Sequence, residues 1–184
     1  MNFINPIIKL FFFVILLDSC IAQNTTIVGE EKYDLINLSD LSIYSVSFKT
    51  NCEMVKSAFG EQDTTYIFTN YKNIVFLNDF ELYYQDDSCT CLFGSIKFNS
   101  SDIAITYQKN KLEYMFSKAT TLEEMKKIFP NSYKSIKIIE ASDGQLEKIV
   151  KCFFPLSNEI LSIDFRFKDD LLISVSSWFP FERN

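Results

Sequence analysis

Histidine is missing from this chain altogether. Its absence removes the commonest general base and metal ligand, and with them every Ser–His or Cys–His nucleophile pair. The His-free Ser-x-x-Lys arrangement is absent too. Glycine and proline number only four each, which argues against Gly-rich cofactor loops and against a disordered chain. Positive charge is scarce as well: 18 Lys and Arg face 24 Asp and Glu, a net charge of −6, with no basic block. Nucleic-acid binding needs clustered cations to neutralise phosphates, so that class is excluded. No apolar run beyond the first 22 residues approaches the roughly 20 residues that span a bilayer.

The start of the chain has the layout of an export signal. Residues 1–9 carry Lys9, Leu10–Leu17 is an unbroken apolar run, and small residues follow in Asp18-Ser19-Cys20-Ile21-Ala22. Two cleavage sites are open. Cleavage before Gln23 releases a soluble secreted protein. Leu17-Asp18-Ser19-Cys20 resembles a bacterial lipobox, apart from Asp18, and would leave Cys20 as a lipidated first residue. Residues 1–22 are therefore read as a leader, and the mature protein is expected outside the cytoplasm, free or anchored in the envelope through Cys20. A lipid there is the single route to a membrane.

About 160 residues remain after cleavage, enough for one domain or two small lobes. Apolar residues make up 47 %, including 19 Phe and 9 Tyr, so material for a core is ample. Besides Cys20 there are Cys52, Cys89, Cys91 and Cys152, an even set that in an exported chain points to disulfides. Cys52 opens a predicted helix, where a thiol can be activated; in an oxidising compartment half of a structural bridge is the better reading.

The chain reads as one module used twice. Thr50-Asn51-Cys52-Glu53 and Thr120-Thr121-Leu122-Glu123 both spell a capping box. Behind them Cys52, Val55 and Phe59 recur as Leu122, Met125 and Phe129, each 70 positions on, before Gly60 and Pro130. Helices this short must pack on a sheet. Alternation predicts strands over 65–70, 73–77, 81–84 and 95–99, then a hairpin of 103–108 and 111–117. The second half predicts strands over 135–140 and 147–154, then a hairpin of 162–167 and 171–178. The hairpins align, Ile103, Ile105 and Tyr107 with Ile163, Phe165 and Phe167. The offset falling from 70 to 60 puts an insert near residues 85–92 of the first module. Ahead of the modules, residues 23–49 read as a tether with a possible leading strand; the modules span 50–118 and 119–184. The expected fold class is α+β, two tandem modules, each a short helix on an antiparallel sheet. One of Cys89 and Cys91 is expected to bridge to Cys52.

Thr50/Glu53/Phe59-Gly60, Thr120/Glu123/Phe129-Pro130 and the two hairpins are together similar to the β-lactamase-inhibitor-protein-like family, whose module is shared with small outer-membrane assembly lipoproteins. The resemblance covers residues 50–178. It implies a non-catalytic protein that binds other proteins through sheet faces and loops.

Candidate chemistry is sparse. Asp79/Glu81 and Asp86/Asp87 lack calcium-loop spacing and read as solvated turns. Glu123-Glu124 suits a helix dipole without invoking catalysis. No catalytic, cofactor or metal residue stands out. Adjacent rings at Tyr83-Tyr84, Phe153-Phe154 and Trp178-Phe179 place one ring on each face of an extended chain. Of these, Tyr84, Phe153, Trp178 and Phe179 are the candidate partner interface, since Trp and Tyr concentrate at hot spots. The function expected is non-catalytic protein binding in the envelope or outside the cell. A small-ligand or lipid carrier with a cleft between modules is the alternative, followed by a carboxylate-dependent hydrolase.

Overall fold

Long stretches of alternating apolar and polar residues make this chain a sheet protein. The structure, a computed structural model, describes residues 25–28, 30–59, 64–68, 71–76, 80–85, 90–99, 103–156 and 159–178. In chain order these form β1 (Thr25–Val28), β2 (Glu31–Asp34), a 3₁₀ turn (Leu38–Asp40), β3 (Leu41–Ile43), β4 (Val46–Ser47), β5 (Lys49–Asn51) and α1 (Cys52–Phe59). A meander follows, with β6 (Thr64–Phe68), β7 (Tyr71–Phe76), β8 (Phe80–Gln85) and β9 (Thr90–Lys97). Next come β10 (Ile105–Lys109), β11 (Leu112–Phe116), α2 (Leu122–Ile128) and α3 (Pro130–Lys134). A second meander closes the description, with β12 (Lys137–Glu140), β13 (Leu146–Leu156), β14 (Glu159–Lys168) and β15 (Leu171–Trp178). Helix and sheet are both present, so the fold is α+β in the broad sense, dominated by antiparallel sheet.

The two meanders merge into one large sheet, in the order β12-β13-β14-β15-β9-β8-β7-β6. They meet through their last strands, Ser174 opposite Lys97, Val175 opposite Ile96 and Ser176 opposite Ser95. The other half of β9 pairs with β5, Thr50 opposite Cys91. A separate four-stranded sheet runs β11-β10-β3-β4, and β1 pairs with β2. The hairpin over residues 103–117 therefore belongs to the small sheet, while 159–178 lies in the large one. The alignment of these hairpins as equivalents is corrected: alternation identifies strands, and pairing decides which sheet they join. The stretch read as a tether holds β1, and the weak leading strand resolves into β2 through β5.

Both caps lie one residue later than expected. Asn51 Oδ1 accepts from Met54 N–H at 2.9 Å, while Thr50 sits in β5. Thr121, rather than Thr120, forms the capping box with Glu124. Thr120 is occupied elsewhere: its N–H donates to Ser117 and its carbonyl accepts from Leu172 N–H at 3.0 Å. Leu122 N–H donates to Asp170 O at 2.9 Å, so the start of α2 is tied to the tip of the β14–β15 hairpin. Pro130 ends α2 but opens α3, where a missing N–H costs nothing.

The core lies between one face of the large sheet and a cover of helices and small sheet. Ile163, Phe165 and Phe167 of β14 are buried with Val150, Cys152 and Phe154 of β13. Leu122, Met125 and Phe129 face them from α2 and its end, and Ile43, Ile105, Tyr107 and Phe116 from the small sheet. Phe165 joins the layers, with its ring 5.3 Å from Phe116 and 5.5 Å from Phe129. Asp34 fastens β2 to this assembly: Oδ2 accepts from Asn131 N–H at 3.0 Å and Ser132 N–H at 2.9 Å. That carboxylate satisfies the first N–H groups of α3 from 97 residues away.

Candidate functional site

The face of β14 turned away from the core is polar. Alternation that buries Ile163, Phe165 and Phe167 directs Ser162, Asp164 and Arg166 to the opposite side. The neighbouring strands continue the pattern. Lys151, Asp164, Ser176 and Ser95 lie across from one another in one row, and Ile149, Arg166, Ser174 and Lys97 in the next. A β-bulge between Arg166 and Phe167 sets Ile173 out of register beside them.

This face carries a groove of about 450 Å³ where the two meanders join. From β9 it is lined by Ser95 and Lys97, with Asn99 just beyond; from β15 by Ile173, Ser174 and Ser176; from β13 and β14 by Glu147 and Arg166. Lys97 is exposed and forms no ion pair among the described residues. Arg166 is part-buried, and its Nη1 stands 3.6 Å from Glu147 Oε2. That separation exceeds the roughly 2.7–2.9 Å of a charge-assisted hydrogen bond. Asp164 Oδ1, Arg166 Nε and Ser176 Oγ are buried and have no hydrogen-bond partner among the described residues, although Lys151 Nζ stands 3.0 Å from that carboxylate oxygen as an ion pair. Buried polar groups are nearly always paired, so unpaired donors at Arg166 and Ser176, on adjoining strands, single this face out. Beside the groove, Lys151 Nζ lies 3.0 Å from Asp164 Oδ1 and donates to Ser162 Oγ at 3.3 Å.

The expected interface aromatics are partly brought to this face. Phe153 is half-buried, with its ring 4.9 Å edge-on to Tyr33. Phe153 and Trp178 occupy the positions on either side of Ser162, one row from Lys151 and Asp164. Tyr84 lies in β8 opposite Cys91, on the other side of β9. Phe179 falls outside the described residues, as do Cys20, Cys89 and the leader.

Cys152 is a free thiol, which corrects its expected place in a disulfide. It points from β13 into the core, where Sγ donates to Ser132 Oγ at 3.5 Å. Burial pushes its pKa up, so the thiol stays protonated and inert. Burial likewise raises the Tyr107 phenol. Cys52 begins α1, directly after Asn51, whose partner is Thr90, and Cys91 faces Thr50. The pairing thus lays the start of α1 along the segment that carries Cys91. No three His, Cys, Asp or Glu side chains converge to hold a metal among the described residues. None of their helices is long and apolar enough to cross a membrane.

The groove was missed in the sequence reading. Its signals were Ser162-Ile163-Asp164-Phe165-Arg166, whose polar members share a face, and the Ser-rich run Ser174–Ser177. Comparison with known protein families, with curated proteins and with solved structures returns no match.

Proposed function

We propose that this is an exported, non-catalytic binding protein that docks a protein partner on the outer face of its large sheet. The observation that carries the reading is that face: a groove with unsatisfied polar groups, flanked one row away by Phe153 and Trp178. Interfaces combine aromatic anchors with a polar surround of this kind. Export rests on the leader, with Cys20 as a lipid attachment point or lost with the signal. A Cys52 bridge to Cys89 or Cys91 would staple the insert near residues 85–92 to α1.

The tandem-module reading and its family resemblance draw support from the chain order, since α1 and the α2–α3 pair each precede a four-strand meander. In that alignment β9 and β15 are equivalent and meet at the centre of the sheet. A hydrolase is disfavoured because Glu147 and Asp164, the carboxylates beside the groove, each face a cation. A carrier of a small ligand or lipid is the second reading, favoured by the groove's position where the meanders join.

The test is a crosslinked pull-down with tagged mature protein from its native envelope and medium, alongside a Trp178→Ala/Phe179→Ala variant of equal stability. One partner retained by the wild type and lost by the variant is expected. Identical recovery from both, or no partner at all, would overturn the reading.

A further inference from the structure

We infer that the groove between β9, β15 and β14 is a carboxylate pocket, built to receive an Asp or Glu side chain of the protein partner. The inference rests on the proposed protein-docking role and names the chemistry it recognises. The guanidinium of Arg166 uses only one of its edges: Nη1 is directed at Glu147, and Nε–H has no acceptor. A guanidinium binds a carboxylate best through two parallel N–H groups; the edge carrying Nε is unpaired but closed to solvent, so a carboxylate reaches it as the side chain turns toward the groove. Among the described residues, Ser176 contributes an unpaired hydroxyl from the next strand, and the exposed Lys97 an ammonium without an ion pair from the strand beyond it. These donors come from three strands that pairing holds in fixed register, so the pocket is preorganised rather than assembled on loops.

Charge supports an anionic occupant. Arg166 and Lys97 supply two positive charges against the single carboxylate of Glu147, leaving an excess of one on a chain whose net charge is −6. An incoming carboxylate would complete the valence that Glu147, at 3.6 Å, leaves open. Continuity favours a partner's side chain over a free anion: Phe153 and the backbone position of Trp178 share the row next to Asp164 and Ser176, so a docked protein that fills the groove would also reach that row.

The experiment follows the side-chain Nε–H resonance of Arg166 by NMR while the mature protein is titrated with an N-acetylated peptide of four Glu. A matching Gln peptide and sodium sulfate are titrated in parallel. The expected result is a saturable shift with the Glu peptide and none with the Gln peptide. Arg166→Lys should weaken peptide affinity, read from backbone amides, by about tenfold or more, since hydrogen bonds to charged groups are at stake. Lys97→Gln, at an exposed position, should weaken it by about two- to fivefold. No saturable shift, or an equal shift with the Gln peptide, would overturn the pocket. Sulfate binding as tightly as the Glu peptide would overturn the side-chain assignment in favour of a free anion. The titration needs no partner, so its failure is distinguishable from failure of the docking role, which the pull-down reads.

Discussion

Two side chains close the first turn of α2. Thr121 Oγ1 accepts from Glu124 N–H at 3.3 Å, and Glu124 Oε2 accepts from Thr121 N–H at 2.7 Å and from its hydroxyl at 2.9 Å. The bonds from Thr121 hold the Glu124 carboxyl below the usual carboxylate range. A carboxylate with a lowered folded-state pKa stabilises the fold above its unfolded value of about 4.3, and that contribution fades as pH falls through the folded pKa. Thr121→Ala should cost about 1 kcal/mol at neutral pH by chemical denaturation. Glu124→Gln should cost about 0.5 kcal/mol there, and its difference from wild type should shrink as pH falls through the lowered folded pKa. Cys152 makes a contrasting prediction. Its thiol should resist an aromatic disulfide reagent in the native protein and react only on unfolding; rapid labelling of native Cys152 would show that the core opens at α3.

At the scale of elements, hairpin tips and the layer contact set stability. Asn110 and Lys111 both have positive φ, at 53° and 66°, in the β10–β11 turn. A side chain is disfavoured there, so Lys111→Gly should stabilise by about 0.5–1 kcal/mol, read as a raised denaturation midpoint. Phe165 touches rings from both the small sheet and the end of α2; Phe165→Ala should cost about 3–5 kcal/mol by equilibrium unfolding. The strands over 65–70, 73–77, 81–84 and 171–178 were legible because alternation is local. The caps slipped by one residue because Thr50-Asn51 and Thr120-Thr121 each offer two adjacent capping side chains. Tertiary pairing decided, drawing Thr50 into β5 and Thr120 onto Leu172. The helix α3 is hidden in the sequence because a proline that stops one helix equally opens the next. The groove was the least legible feature. The face of Arg166 follows from alternation, but its approach to Lys97 depends on β9 pairing with β15, and nothing local encodes that partner.

Across the whole molecule, that one pairing unites the halves. The β9 backbone serves three neighbours: β8 along Thr90–Ile96 on one edge, and on the other edge β5 along Thr90–Leu92 and β15 along Ser95–Lys97. Ser177 Oγ adds a hydrogen bond to Phe93 O at 2.6 Å. The consequence is temporal. As the chain is made, or threaded across a membrane, residues 171–178 arrive after every other described strand. Until then Ser95–Lys97 presents bare N–H and C=O groups, an open template for any extended segment nearby. The first half therefore waits, for the synthesis of more than 70 further residues, with the sticky edge that its own last strand will close. A nascent chain halted before Leu171 should carry the strongest tendency to pair with its neighbours. A holdase would have most to protect during that interval.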